Sequence, residues 1–158
     1  MKEGRIKRVL IVCPLSIMHS AWRNDLFTFA MHRSVAVAYG APKKRREIIE
    51  GGFDLIIVDE ATHYKNTQTK RWKILNSLMT SDKWLWMMTG TPAAQSPVDA
   101  YGLAKLINPK AVPRFAGSFR DQVMRKVSNF RWVPKEDATD TVFRVLQPAI
   151  RFTKDECL

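Results

Sequence analysis

Two adjacent carboxylates, Asp59 and Glu60, stand directly after the apolar run Leu55-Ile56-Ile57-Val58. Carboxylates at the carboxyl end of a buried parallel strand lie where open α/β sheets bind their ligands. Such a pair can divide two tasks, one member holding Mg²⁺ through a water and the other orienting or deprotonating an attacking water. That is nucleotide hydrolysis in outline, although a solvated strand end is the commoner explanation of two acids taken alone. A second polar cluster, Thr89-Gly90-Thr91-Pro92 with Gln95 shortly after, also follows an apolar run. Its hydroxyls suit either coupling to the carboxylates or local turn bonding. His63 has no paired His or Cys beside it and reads as a loop histidine rather than a metal ligand.

The elements that must position these residues alternate in type. Arg8 to Cys13 is a short apolar strand ended by Pro14, and Leu15 to Ala30 has helical spacing, with Ser16 placed to cap its start. Residues 34–39 form a second strand closed by Gly40-Ala41-Pro42, and residues 43–50 a short charged helix stopped by Gly51. After the acidic strand, Thr67 to Met79 reads as a helix and Lys83 to Met88 as a strand. Ser96 caps a helix from Pro97 to Ile107 that stops at Asn108-Pro109. Residues 108–148 read as basic and helical, with helices over 118–127 and 135–146, and 149–153 as a last strand. Strands alternating with helices predict a three-layer α/β domain with a mainly parallel sheet and right-handed crossovers. A chain of 158 residues suits one such domain, spanning 1–158.

Composition narrows the partners. Lys and Arg number 26 against 15 Asp and Glu, a formal net charge of +11, which points to a polyanion such as nucleic acid. A plain solubility role for the excess is the alternative. Residues 1–50 carry +6, residues 51–100 are neutral and residues 101–158 carry +5, so the neutral middle holds the carboxylates. No apolar run is long enough to span a bilayer, and the start has no signal-peptide pattern, so the expectation is an intracellular, cytoplasmic protein without a membrane. The two cysteines, Cys13 and Cys157, read as free thiols.

Three stretches match one family in order. Val9-Leu-Ile-Val-Cys-Pro14-Leu-Ser16-Ile-Met-His-Ser-Ala-Trp22 is similar to motif Ia of the Swi/Snf-type superfamily 2 helicase-like ATPases. Asp59-Glu60-Ala61-Thr62-His63-Tyr64-Lys65-Asn66 resembles their motif II, and Met88-Thr89-Gly90-Thr91-Pro92 with Gln95 their motif III. Leu146 to Glu156 looks like the stretch closing the family's first lobe. The resemblance covers nearly the whole chain and implies a RecA-like, P-loop-NTPase-type lobe of an ATP-dependent double-stranded-DNA translocase. It implies that Asp59 anchors Mg²⁺ through a water and that Glu60 handles the attacking water of ATP hydrolysis. Thr89, Gly90, Thr91 and Gln95 would couple that site to DNA, and Ser16, Lys65 and Asn66 would contact its backbone. Lys65 and Asn66 serve equally well as loop stabilisers.

Two departures bear on activity. Where the family usually has His as the fourth residue of motif II, this chain has Thr62, a hydrogen-bonding group that carries no charge. None of the seven glycines is followed by lysine, so these residues hold no Gly-Lys-Ser/Thr phosphate loop. Nor do they hold a second lobe with its transition-state arginine. The expectation is therefore a partial lobe, unable to hydrolyse ATP by itself, whose partners are duplex DNA and either a second lobe or a further copy of the chain. A stand-alone DNA-binding or regulatory module is the alternative, and an oligomerising structural partner a third.

Overall fold

The computed structural model describes residues 6–24, 35–38, 50–93, 95–152 and 154–157. Much of the expected 15–30 helix and nearly all of the 43–50 helix lie outside the described residues. Two compact units emerge, Met1–Pro92 and Ala93–Leu158.

The N-terminal unit is built on four parallel strands, β1 (Val9–Val12), β2 (Val35–Ala38), β3 (Leu55–Val58) and β4 (Trp84–Met87), in the order β2-β1-β3-β4. Register is continuous across it, with Val9 opposite both Val35 and Leu55, and Leu55 opposite Trp84. β-Branched and leucine residues fill β1 and β3 because both strands are central and bury side chains on either face. Leu10, Ile56 and Val58 are almost wholly inaccessible on one face; Val9, Ile11, Cys13 and Leu55 form a cluster on the other. Ile6, Ile17, Met18, Trp22 and Ile57 pack against that cluster. β4 is an edge strand, and Trp84 and Trp86 on it are more than half exposed.

The chain enters β1 under the control of Asp54. Its Oδ2 accepts the backbone N–H groups of Arg8 and Lys7, each at 2.8 Å, and these bonds hold its carboxyl below the usual carboxylate range. After β1 the chain winds as a short α1 (Leu15–Ile17) that widens into a π-helix over Met18–Arg23. Ser16 therefore sits inside the first turn and not at the cap position, because the helix begins one residue earlier, after Pro14. Between β3 and β4 runs α2 (Lys70–Leu78), capped by Thr69, whose hydroxyl accepts from Trp72 N–H at 3.3 Å. Trp72, Leu75 and Leu78 form its buried stripe.

The C-terminal unit contains α3 (Ala100–Ile107), α4 (Ala116–Val123), β5 (Met124–Ser128), β6 (Arg131–Pro134), α5 (Ala138–Val145) and α6 (Lys154–Cys157). Ser96 caps the turn leading into α3, its hydroxyl accepting from Val98 N–H at 3.3 Å, as the Ser-Pro sequence implies. Its core includes Phe119 and Val123, both fully buried, with Leu103, Leu106 and Val145.

Two expectations fail in this unit. The helix over 118–127 ends at Val123, and the chain turns into the antiparallel pair β5–β6 instead of remaining helical. A helix continued past Val123 would gain nothing by burial, since Arg125, Lys126 and Val127 are all exposed. The strand over 149–153 is absent among the described residues: Ile150 and Phe152 are 82% and 71% exposed, and a lone strand has no ladder to satisfy its backbone.

Candidate metal and nucleic-acid site

The ends of three strands converge on the acidic pair. Asp59 N–H donates to Val12 carbonyl at 2.8 Å, Met88 N–H to Val58 carbonyl at 2.9 Å, and Ala61 N–H to Met88 carbonyl at 2.9 Å. Backbone bonds thus tie the carboxyl ends of β1, β3 and β4 around Asp59 and Glu60. Sequence position alone already places ligands there in a parallel sheet.

Asp59 is partly buried and held on both oxygens. Trp22 Nε1–H donates to Oδ2 at 2.8 Å, and Glu60 N–H to Oδ1 at 2.9 Å. The Trp22 bond comes from the π-helical turn, a winding found mainly as local insertions at functional positions. Each carboxylate oxygen offers about two lone-pair directions, so one on each is left for a further donor. That donor set suits a metal-bound water, the form in which protein-bound Mg²⁺ keeps most of its ligands. Among the described residues no group of three His, Cys, Asp or Glu forms a direct metal cage. The residues present therefore fit a water-mediated ion and not a dedicated protein cage. Cys13, buried beneath, has its thiol raised by burial and then by the charge of Asp59, so it stays protonated and inert.

Glu60 differs from its neighbour in every respect. Its backbone lies in the left-handed region, φ 52° and ψ 53°, the only non-glycine positive φ among the described residues. Its side chain is exposed, and among the described residues its carboxylate accepts no hydrogen bond. Holding a non-glycine residue there costs about 1–3 kcal/mol, and such strain collects at active sites. Among the described residues the side chain makes no contact that would offset this strain. Glu60→Gly is accordingly expected to raise the stability of the N-terminal unit by about 1 kcal/mol in urea unfolding. A lower midpoint would show that the backbone is unstrained.

The remaining motif residues fall into two groups. Ala61–Tyr64 forms a 3-10 turn directly after the pair, with Ala61 and Tyr64 buried and Thr62 and His63 towards solvent. Burial raises the Tyr64 hydroxyl above its ordinary pKa, keeping it neutral. Asn66 organises the loop: its Oδ1 accepts Gln68 N–H at 2.9 Å and its carbonyl accepts the Thr69 hydroxyl at 2.8 Å. Thr89 Oγ1 accepts Thr91 N–H at 3.3 Å, so at least this hydroxyl serves the turn around Gly90. Thr89 follows Met88, whose carbonyl bonds Ala61, and so stands next to the acidic pair through the backbone. Ser16 and Lys65 are in the N-terminal unit, the former exposed, whereas Gln95 belongs to the C-terminal unit.

The model of the SNF2-related domain matches residues 37–156, well over half of the chain. The chain belongs to that family. Two curated relatives agree. The SWI/SNF-related matrix-associated actin-dependent regulator of chromatin subfamily A-like protein 1 of Xenopus tropicalis is 33% identical over 79 residues, covering 50% of this chain and 8% of that protein. The uncharacterized ATP-dependent helicase YqhH of Bacillus subtilis is 26% identical over 126 residues, covering 69% of this chain and 22% of its own length. The SNF2-related chain thus spans a small part of either relative. Among solved structures, the SWI2/SNF2 ATPase core of Sulfolobus solfataricus in complex with dsDNA aligns with a TM-score of 0.64 at 20% identity. It covers 93% of this chain and 34% of that one. At that identity the likeness establishes the fold, an α/β lobe with a parallel sheet of RecA type.

The structure has both carboxylates at the end of β3 and a polar turn after β4, the positions expected from sequence. The Trp22–Asp59 bond and the strain at Glu60 are not expected from sequence. Trp22 was visible as a motif residue, but its 37-residue separation from Asp59 carries no periodic signal.

Proposed function

We propose that these residues are the duplex-DNA-contacting and metal-positioning part of an ATP-driven DNA translocase lobe, unable to turn over ATP alone. The observation that carries the reading is the pair itself: Asp59 fixed by Trp22 and the Glu60 amide, and Glu60 exposed on strained backbone with no side-chain partner among the described residues. Asp59 would hold Mg²⁺ through a water, the ion supplying charge to the phosphates of ATP when both are bound. Glu60, free to accept, would orient or deprotonate the attacking water. The tie from Ala61 N–H to Met88 carbonyl gives Thr89, Gly90 and Thr91 a route to sense that site. Gln95 would join them. Ser16, Lys65 and Asn66 would meet the phosphodiester backbone. The absence of Gly-Lys-Ser/Thr from this sequence leaves the phosphates without the cradle that phosphoryl transfer requires.

Turnover decides between a crippled and a working site. With ATP, Mg²⁺ and duplex DNA supplied to the 158-residue chain, phosphate release is expected to stay at the level of a protein-free blank. Robust release that disappears in Glu60→Gln would overturn the reading and make the chain an ATPase in its own right.

A further inference from the structure

The hairpin β5–β6 is explained neither by the acidic site nor by the motifs. Between Met124 and Pro134 lie three cations, Arg125, Lys126 and Arg131, and no carboxylate. All three are exposed, and their side chains make no ion pair or hydrogen bond among the described residues. At the tip, Asn129 and Phe130 form the turn, and Phe130 is 99% exposed. Neither turn residue adopts positive φ, and the register shifts between Lys126 and Ser128 to let the strands close without it.

The base of this hairpin is hydrogen-bonded to the preceding helix, whereas the ring at its tip is bare. Lys135 N–H donates to Val123 carbonyl at 3.0 Å and Lys135 Nζ to Asp121 carbonyl at 2.7 Å. The Arg120 guanidinium lies 4.2 Å over the Trp132 ring while also pairing with Asp121 at 3.4 Å. A two-stranded ribbon following a helix anchored by Phe119 and Val123 thus presents one bare aromatic ring at its tip, with Arg131 next to it in sequence and Arg125 and Lys126 further back along β5.

A fully exposed phenylalanine gains only from a surface that covers it, and the cations on the same hairpin would be desolvated at cost by an apolar protein pocket. Nucleic acid with unpaired bases meets both demands, offering phosphates to the cations and a base face to the ring. A closed duplex does not, because its bases are already stacked. We propose that the β5–β6 hairpin is a contact for unpaired DNA, with Phe130 stacking on a base and Arg125, Lys126 and Arg131 against the flanking phosphates. It rests on the DNA-binding reading above and adds to it a preference for forked or gapped ends.

The test compares a blunt duplex with a forked duplex carrying 2-aminopurine in one unpaired arm, titrated with the parent chain, Phe130→Ala and Phe130→Trp. The parent is expected to favour the fork and to quench the probe. Phe130→Ala is expected to lose about tenfold in fork affinity, the scale of one base–aromatic stack, with blunt-duplex affinity unchanged. Phe130→Trp should retain both. Because Phe130 is exposed, an unchanged thermal melt of Phe130→Ala confirms that folding is not at issue. Equal binding of the fork by parent and Phe130→Ala overturns the hairpin proposal while leaving duplex binding intact; an equal loss on fork and blunt duplex also overturns it, since the contact is then not specific to unpaired bases. Failure of the parent to bind either DNA overturns the underlying reading as well.

Discussion

Phe119→Ala is expected to destabilise the C-terminal unit by about 3–5 kcal/mol, the range for truncating a fully buried aromatic. Phe119 has no accessible surface, and Val123, one helical turn on, has none either. The ring of Phe119 lies 5.6 Å from that of Tyr101 at 36°, a tilted contact that an alanine cannot make. Tyr101 cannot swing in to fill the space, since its hydroxyl donates to Arg114 carbonyl at 2.8 Å and stands 3.2 Å from Pro113 carbonyl. Moving the ring would break those bonds, so a cavity persists. Hydrogen exchange of the amides of α3 and α4 under native conditions checks this directly, because protection there reports the stability of the unit. A change below about 1 kcal/mol would mean that the helices repack around the gap.

The part of the fold visible from the residues alone was the part governed by short-range pattern. Leu55–Val58 is bounded by glycines and acids and is buried on both faces, so its strand and its ligand-facing end follow from four residues and their flanks. The Ser96 cap and the stop at Asn108 are equally local. The β5–β6 hairpin was hidden for a local reason of the opposite kind. Its turn, Asn129-Phe130, lacks the glycine that usually marks two-residue hairpins, and Phe119, Val123 and Val127 continue a helical spacing into β5. Ala149 to Phe152 misled through composition: apolar residues in a row read as a strand, yet a strand needs a neighbour that none of those residues specifies.

The site divides along the same line. Asp59 and Glu60 are adjacent and announce themselves, whereas the bond that fixes Asp59 links residues 37 apart, through a π-helical turn that no sequence periodicity predicts. The left-handed backbone of Glu60 is a tertiary imposition too. The tie from Ala61 N–H to Met88 carbonyl bends the chain there, and glutamate has no intrinsic preference for that conformation. These two long-range features are what distinguish the observed pair from a simple solvated strand end.

Contact with duplex DNA is the claim on which both the motif assignments and the hairpin depend. The net charge of +11 supplies the means. Each phosphate neutralised releases bound counterion, so affinity falls with salt according to the number of contacts. For about five phosphate contacts the log–log slope is about −4.5, and raising salt from about 50 to about 200 mM weakens binding about 500-fold. Titration of a blunt duplex with the 158-residue chain across that salt range is the most direct measurement. The expected result is a linear log–log decline of roughly that steepness; affinity that does not change with salt would contradict a phosphate-contacting lobe.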